Sequence, residues 1–231
     1  VYNKGSNLYG LNWAVEKIKE KDFVIIVEGY LDFLTPFQAG VLNIVASLGT
    51  ALTSDQVRLL KRFTKNVVMV FDSDFAGESA SLRGLDIAVA EGLNVKVATL
   101  PSGYDPDKFV KEHGCDKFLK YIESAADFFD YKCALLKARF KGSGVDSKAK
   151  IAGEMLNTIA KVPNAVSRSE YVKRLSQNLD VDPEALWIEI KKVRPDQRSN
   201  FGLGAAQTAE TVNPVCLHVA EKMLLGLALD D

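Results

Sequence analysis

Short apolar runs alternate with longer mixed segments over the first hundred residues. Residues 8–21 read as a helix, and residues 23–27, Phe-Val-Ile-Ile-Val, form a β-rich run too short and too apolar for a surface helix. A second helix is predicted over residues 30–41 and a brief strand over 43–46. A third helix opens at Ser54 with Asp55 and Gln56 in its first turn, where acidic and capping residues are favoured. Residues 67–71 read as a strand running into Asp72, residues 76–91 as a long helix stopped at Gly92, and residues 95–99 as a fourth strand. Strands alternating with helices in this way predict βαβ units, hence an α/β fold: a Rossmann-like parallel sheet flanked by helices.

After Asp107 the strand signals stop. Residues 117–123, 126–140, 147–161, 167–179 and 183–193 read as amphipathic helices, several opened by Ser or Asp with Pro in the first turn, so an all-helical subdomain is expected to follow the sheet. Residues 195–214 turn polar and rich in Gly, Ala, Gln and Thr, as a linker does, and within residues 215–231 a new apolar helical pattern runs over 219–229. The expected organisation is a lead-in over 1–21, a sheet-bearing subdomain over 22–125, a helical bundle over 126–194, the linker, and the start of a further domain.

The open parallel sheet directs attention to the carboxyl ends of its strands, where such folds bind ligands. The first strand runs into Glu28-Gly29 and the third into Asp72-Ser73-Asp74. Asp72 and Asp74, two apart, face the same way in extended chain. Glu28 converges on them if the two strands are neighbours. Asp105-Pro106-Asp107 is expected on a loop at the same end, and Asp32 lies one helical turn beyond Glu28. Carboxylates gathered on one rim repel unless a cation neutralises them. Mg2+ suits the position, being hard, oxygen-seeking and at home on one or two carboxylates plus substrate phosphates; Mn2+ substitutes for it. Each cluster also has a plain structural explanation, Asp74 as a helix cap and Asp105-Pro106-Asp107 as a turn. Their conjunction at strand ends favours chemistry.

Composition adds limits. Hydrophobic residues make up 47% and charged residues 26% of the 231-residue chain, as in an ordinary globular protein, and the formal net charge of -1 leaves any basic surface to local clustering. Cys115, Cys133 and Cys216 are odd in number and far apart, offering no zinc spacing or disulfide framework, which suits a reducing cytoplasm. No apolar run reaches the ~18 residues of a membrane span. The start lacks a signal-peptide pattern and an initiating Met, so the chain is expected to be part of a longer one. His113 reads as a surface helix terminus; Arg58, Lys61, Arg62 and Lys65 read as a solvated helical face. Tyr30, Phe75 and Tyr104 lie near the acidic rim, where packing is the plainer role for them and base stacking the alternative. Neither a P-loop nor a dinucleotide fingerprint is present.

The runs Val27-Glu28-Gly29-Tyr30-Leu31-Asp32, Ser47-Leu48-Gly49-Thr50-Ala51, Phe71-Asp72-Ser73-Asp74-Phe75-Ala76-Gly77 and Leu100-Pro101-Ser102-Gly103-Tyr104-Asp105-Pro106-Asp107 together resemble, in order and spacing, the bacterial DnaG-type DNA primases. The strand-end Glu followed by Asp-x-Asp is similar to the signature of the wider Toprim fold. Lys4-Gly5 and Leu8-Tyr9-Gly10 resemble the lead-in to that family's Toprim part. Residues 168–193 resemble its closing helical bundle, and residues 220–225 the opening helix of its helicase-binding domain.

The resemblance implies a nucleotidyltransferase that makes short RNA primers on a single-stranded DNA template from ribonucleoside triphosphates. It implies Glu28, Asp72 and Asp74 as catalytic and metal-holding residues, with Asp32, Asp105 and Asp107 completing the acidic set. Lys4 and Arg83 match basic positions assigned to phosphate or template contact. Mg2+ is the implied cofactor, the replicative helicase an implied partner through residues 215–231, and the bacterial cytoplasm the implied location, with no membrane. The family's zinc-binding module and preceding basic subdomain have no counterpart in these residues, so weak priming by this chain alone is expected. Rival expectations are another Toprim protein, whether topoisomerase, nuclease or DNA-binding mediator, and a haloacid-dehalogenase-type phosphatase using Asp72 as nucleophile. The last expects Thr or Val where Ala76 stands and gives Glu28 no role.

Overall fold

The computed structural model describes residues 4–48, 52–71, 78–142 and 144–193, with backbone alone for residue 4 and residues 78–81. Asp72, Asp74, Phe75 and Cys216 lie outside these, as do the linker over 195–214 and the helix expected over 219–229.

After a short 3-10 turn, Lys4–Ser6, the elements run α1 (Leu11–Lys21), β1 (Val24–Val27), α2 (Tyr30–Gln38), β2 (Ile44–Ala46), α3 (Ser54–Leu60), β3 (Asn66–Phe71), α4 (Glu78–Ala90) and β4 (Asn94–Thr99). Then come α5 (Pro106–His113), α6 (Cys115–Glu123), β5 (Ala126–Asp127), α7 (Phe128–Arg139), α8 (Val145–Ile159), α9 (Ala165–Leu179) and α10 (Pro183–Lys192). The strands form one sheet in the order β2-β1-β3-β4-β5. The first four are mutually parallel, with Ile25 beside Ile44 and Val68, and Val67 beside Val95. The expected parallel sheet is therefore present, with one addition. The two-residue β5 pairs antiparallel with β4, Lys96 opposite Asp127.

Alternation along the strands sorts the core into two layers. Val24, Ile26, Val67, Met69, Phe71, Val95 and Val97 face α1, α3, α4 and the later helices, packing on residues such as Ile18, Leu60 and Leu85. Ile25, Val27, Val68, Val70 and Ala98 face α2, α5 and α6, packing on Phe33, Phe109 and Phe118. β1, β2 and β3 are thus buried on both faces, which is why they read as continuous apolar runs, whereas β4 exposes Lys96 and Thr99. The first layer extends without a break into α7–α10, through Phe129, Leu136, Met155, Ile159 and Leu175. Sheet and helical bundle consequently share one core. Arg174 closes the bundle from α9 to α7, with an amino group 2.7 Å from Asp130 and its guanidinium 4.5 Å above the Phe129 ring.

Candidate active site

β1 and β3 are direct neighbours and run the same way, so their carboxyl ends open on one edge. Glu28 follows the last residue of β1 there, and β3 ends at Phe71, next to Asp72 in sequence. The partly buried Glu28 is fixed through its backbone, because the Leu48 amide donates to the Glu28 carbonyl at 3.0 Å and the Ser47 amide donates to the Val27 carbonyl at 3.1 Å. Leu48 adopts a left-handed φ of 64° with its side chain buried, an uncommon conformation for a branched residue, as the chain leaves β2 beside Glu28.

Gly29 turns β1 into α2. The Asp32 carboxylate reaches back to accept from the Gly29 amide at 3.0 Å, and a Cβ on Gly29 would stand 2.6 Å from that same oxygen. Gly29 is thus required by the close approach of Asp32 to the backbone. The other Asp32 oxygen faces the Asp107 amide at 3.4 Å. Burial pushes the Asp32 carboxyl up, and the nearby Asp105 and Asp107 charges add to the effect.

The expected loop at Asp105-Pro106-Asp107 is instead the start of α5. Asp105 is its N-cap, accepting from the Lys108 amide at 2.7 Å, and Pro106 occupies the first turn. This is capping and Pro-at-N1 chemistry, read from the same residues as a turn. Asp107 accepts from the Thr35 hydroxyl on α2 and from the Lys111 ammonium at 2.8 Å. Burial works against its charge, but Lys111 and Thr35 outweigh it and hold the carboxyl below its ordinary range.

The sequence-predicted acids therefore have distinct placements. Asp32, Asp105 and Asp107 meet where α2 packs on α5, each with a structural duty, and Glu28 sits at the end of β1. Among the described residues, no three His, Cys, Asp or Glu side chains are grouped to hold a metal ion. The oxygen donors suit a hard cation, and the like charges around Asp32 would be relieved by one. Arg83 is exposed on α4; of Lys4 only the backbone is described. Thr35 and Lys111 escaped the sequence reading, although Asp32/Thr35 and Asp107/Lys111 have the spacings of helical neighbours.

The remaining candidates have ordinary partners. The exposed Tyr30 ring packs edge-on to Tyr9 at 4.9 Å, and the Tyr104 hydroxyl donates to Glu112 at 2.8 Å. His113 packs edge-on against Phe109 at the C-terminus of α5. On the presumed solvated face, Arg58 pairs with Glu91 at 2.9 Å and Lys61 donates to the Glu91 carbonyl at 2.5 Å. A cleft of about 1050 Å3 opens at the opposite, amino-terminal edge of the sheet, beside Phe23, Asn66 and Asn94, away from the carboxylates. No helix among the described residues is long and apolar enough to cross a membrane.

Known proteins share this geometry. Residues 25–110 match the Toprim-like family model, and residues 129–184 match the model of the DnaB-helicase binding domain of primase. The second match falls on α7, α8, α9 and the first residues of α10, ahead of residues 215–231, where the sequence reading put the helicase-binding domain. A DNA primase of Clostridium acetobutylicum is 40% identical over 213 residues, covering 87% of this chain and 35% of the relative. The chain thus spans about a third of the length of that curated relative. The structure of the Aquifex aeolicus primase zinc-binding and RNA polymerase domains aligns with a TM-score of 0.70 and 36% identity over 81% of this chain and 45% of that one. A DnaG primase catalytic domain bound to ssDNA aligns with a TM-score of 0.68 and 32% identity over 76% of this chain and 58% of its own. The edge at which β1 delivers Glu28 beside the end of β3 thus lies in a Toprim-like sheet, and over most of its length the chain is similar to the bacterial DnaG-type primases, in their Toprim and RNA polymerase region.

Proposed function

We propose that this chain is the nucleotidyl-transfer core of a primase, in which Glu28, Asp72 and Asp74 hold Mg2+ at the carboxyl edge of the sheet. The supporting observation is the parallel adjacency of β1 and β3, which brings the end of the strand before Glu28 beside the end of the strand before Asp72. The ion, when bound, neutralises charge developing on the transferred phosphate and its leaving pyrophosphate. The chain's own part is to orient: Glu28 is fixed by its backbone bond to Leu48, Asp32 and Asp107 brace α2 against α5, and Asp105 caps α5, all three keeping negative charge at the rim. The reaction read from this site is attack of a primer 3′-hydroxyl on the α-phosphate of an incoming ribonucleoside triphosphate, releasing pyrophosphate. A single-stranded DNA template sets the sequence, and Lys4 and Arg83 contact phosphate. The bacterial relatives support action in the bacterial cytoplasm. The match over residues 129–184 supports a DnaB-type helicase contact on α7, α8 and α9.

Primer synthesis on a single-stranded template, measured in a complete primase chain carrying this region, tests the reading. Asp72→Asn and Asp74→Asn are expected to lower it by about 100-fold or more with unchanged thermal unfolding, the scale of losing a group that acts only in the transition state. Near-normal synthesis by both would sink the assignment.

A further inference from the structure

Away from the carboxyl edge, one partly buried cluster of charges is used by nothing described so far. Lys132 on α7 is 4% exposed, yet its ammonium lies 3.3 Å from the Asp86 carboxylate of α4. It also donates to the Thr158 hydroxyl of α8, which in turn donates to the same Asp86 oxygen at 2.6 Å. Lys161, just beyond α8, reaches the other Asp86 oxygen at 2.7 Å. Burial disfavours the Asp86 charge, but Lys132, then Lys161 and Thr158, outweigh it and hold the carboxyl below its ordinary range.

A buried ion cluster is a poor way to add stability, since apolar side chains of similar volume do as well or better. What it adds is registration, because a single seating of α4 on α7 and α8 satisfies all four groups at once. The opposite face of α4 is equally constrained. Gly84 lies two residues before Asp86, roughly 200° around the helix. A Cβ there would meet the Leu52 Cβ at 3.2 Å, so α4 is pressed onto the segment that follows Ser47-Leu48-Gly49-Thr50-Ala51. α4 carries Arg83 and begins at Glu78, a short step after Asp74. Lys132, Thr158 and Lys161 all fall within the residues that match the helicase-binding model.

We propose that Asp86, gripped by Lys132, Thr158 and Lys161, is a positioning residue that registers α4, the helix that follows Asp72 and Asp74 in sequence, against the helices that match the helicase-binding model. This rests on the metal-binding reading given above, and makes the geometry of the carboxyl edge depend on the seating of α7 and α8.

The test is a Mn2+ titration of the chain and its Lys161→Met, Lys132→Met and Lys161→Arg variants, with Glu28→Gln as reference and thermal unfolding recorded for each. The sign of the effect separates positioning from plain electrostatics. Removing a lysine removes positive charge, so through-space effects alone would tighten cation binding. Positioning predicts roughly two- to thirtyfold weaker binding in both Met variants, with Lys161→Arg near wild type. Lys161 is partly exposed, so its variant carries the test even if Lys132→Met fails to fold. Unchanged or tighter binding in the folded Met variants, whatever their melting temperature, overturns the proposal while leaving the metal site standing. Wild-type binding that Glu28→Gln does not weaken removes the metal reading, and the proposal with it.

Discussion

Gly29 and Asp32 show how closely the site is built at the level of single residues. With a Cβ on residue 29 standing 2.6 Å from the Asp32 carboxylate, Gly29→Ala must displace that carboxylate or the turn itself. The expected cost is about 1 to 3 kcal/mol of unfolding free energy. Much of it should be recovered in the Gly29→Ala/Asp32→Ala double variant, because the two changes share one contact. Urea denaturation of the four proteins checks this, and strict additivity would contradict the contact. Glu28 and the Gly after it were legible from sequence as a strand-end acid and a breaker. The capping duty of Asp32 was not, because it depends on how far the carboxylate reaches back over its own turn. Leu48 was equally hidden, since nothing in a Ser-Leu-Gly-Thr run announces a left-handed leucine.

Among the elements, the long helices and buried strands followed from apolar spacing, whereas β5 and α5 did not. β5 has two residues, too few for any periodicity, and its antiparallel pairing is imposed by β4. α5 was concealed by its own cap, Asp-Pro-Asp being a turn signal and a helix-start signal at once. That ambiguity gives a discriminating experiment. Asp105→Ala is expected to cost about 1 kcal/mol through loss of the cap, while Asp105→Ser, which still caps, should restore most of it. If Asp105 serves only as a cap, Mn2+ affinity will be retained in the Ser variant. A loss of metal binding in Asp105→Ser with stability intact would instead make Asp105 a ligand.

At the scale of the whole molecule, the expected helical subdomain is present, but its core is continuous with one face of the sheet, and Asp86 is bonded across that junction. Neither was legible in the sequence, since a lone Asp on a helix does not show which distant lysines it will meet. The junction has a pH signature. The Asp86 carboxyl is held below its ordinary value, so its contribution is present above about pH 4, the ordinary carboxylate range, and is lost as pH falls through the lowered folded-state value. Asp86→Asn, which strands the buried Lys132 ammonium, is expected to cost about 3 kcal/mol near neutrality. Its deficit should shrink below pH 4, as seen by chemical denaturation across pH. A deficit constant with pH would contradict the charge-based origin. The helical half also offers a partner test. Binding to a DnaB-type helicase should persist in a chain ending after α10, and its loss there would return the contact to residues 215–231.

The central claim is that the carboxyl edge of the sheet binds a divalent cation through Glu28 and the two aspartates beyond β3. Water-proton relaxation during a Mn2+ titration tests it most directly, comparing the wild-type chain with Glu28→Gln and with Asp72→Asn/Asp74→Asn. Saturable wild-type binding, weakened about tenfold or more in both variants, is the predicted result; on second-shell losses alone, metal affinity falls by roughly this much. Equal binding by all three proteins, with and without a nucleoside triphosphate, would contradict a metal-dependent nucleotidyl-transfer site at this edge.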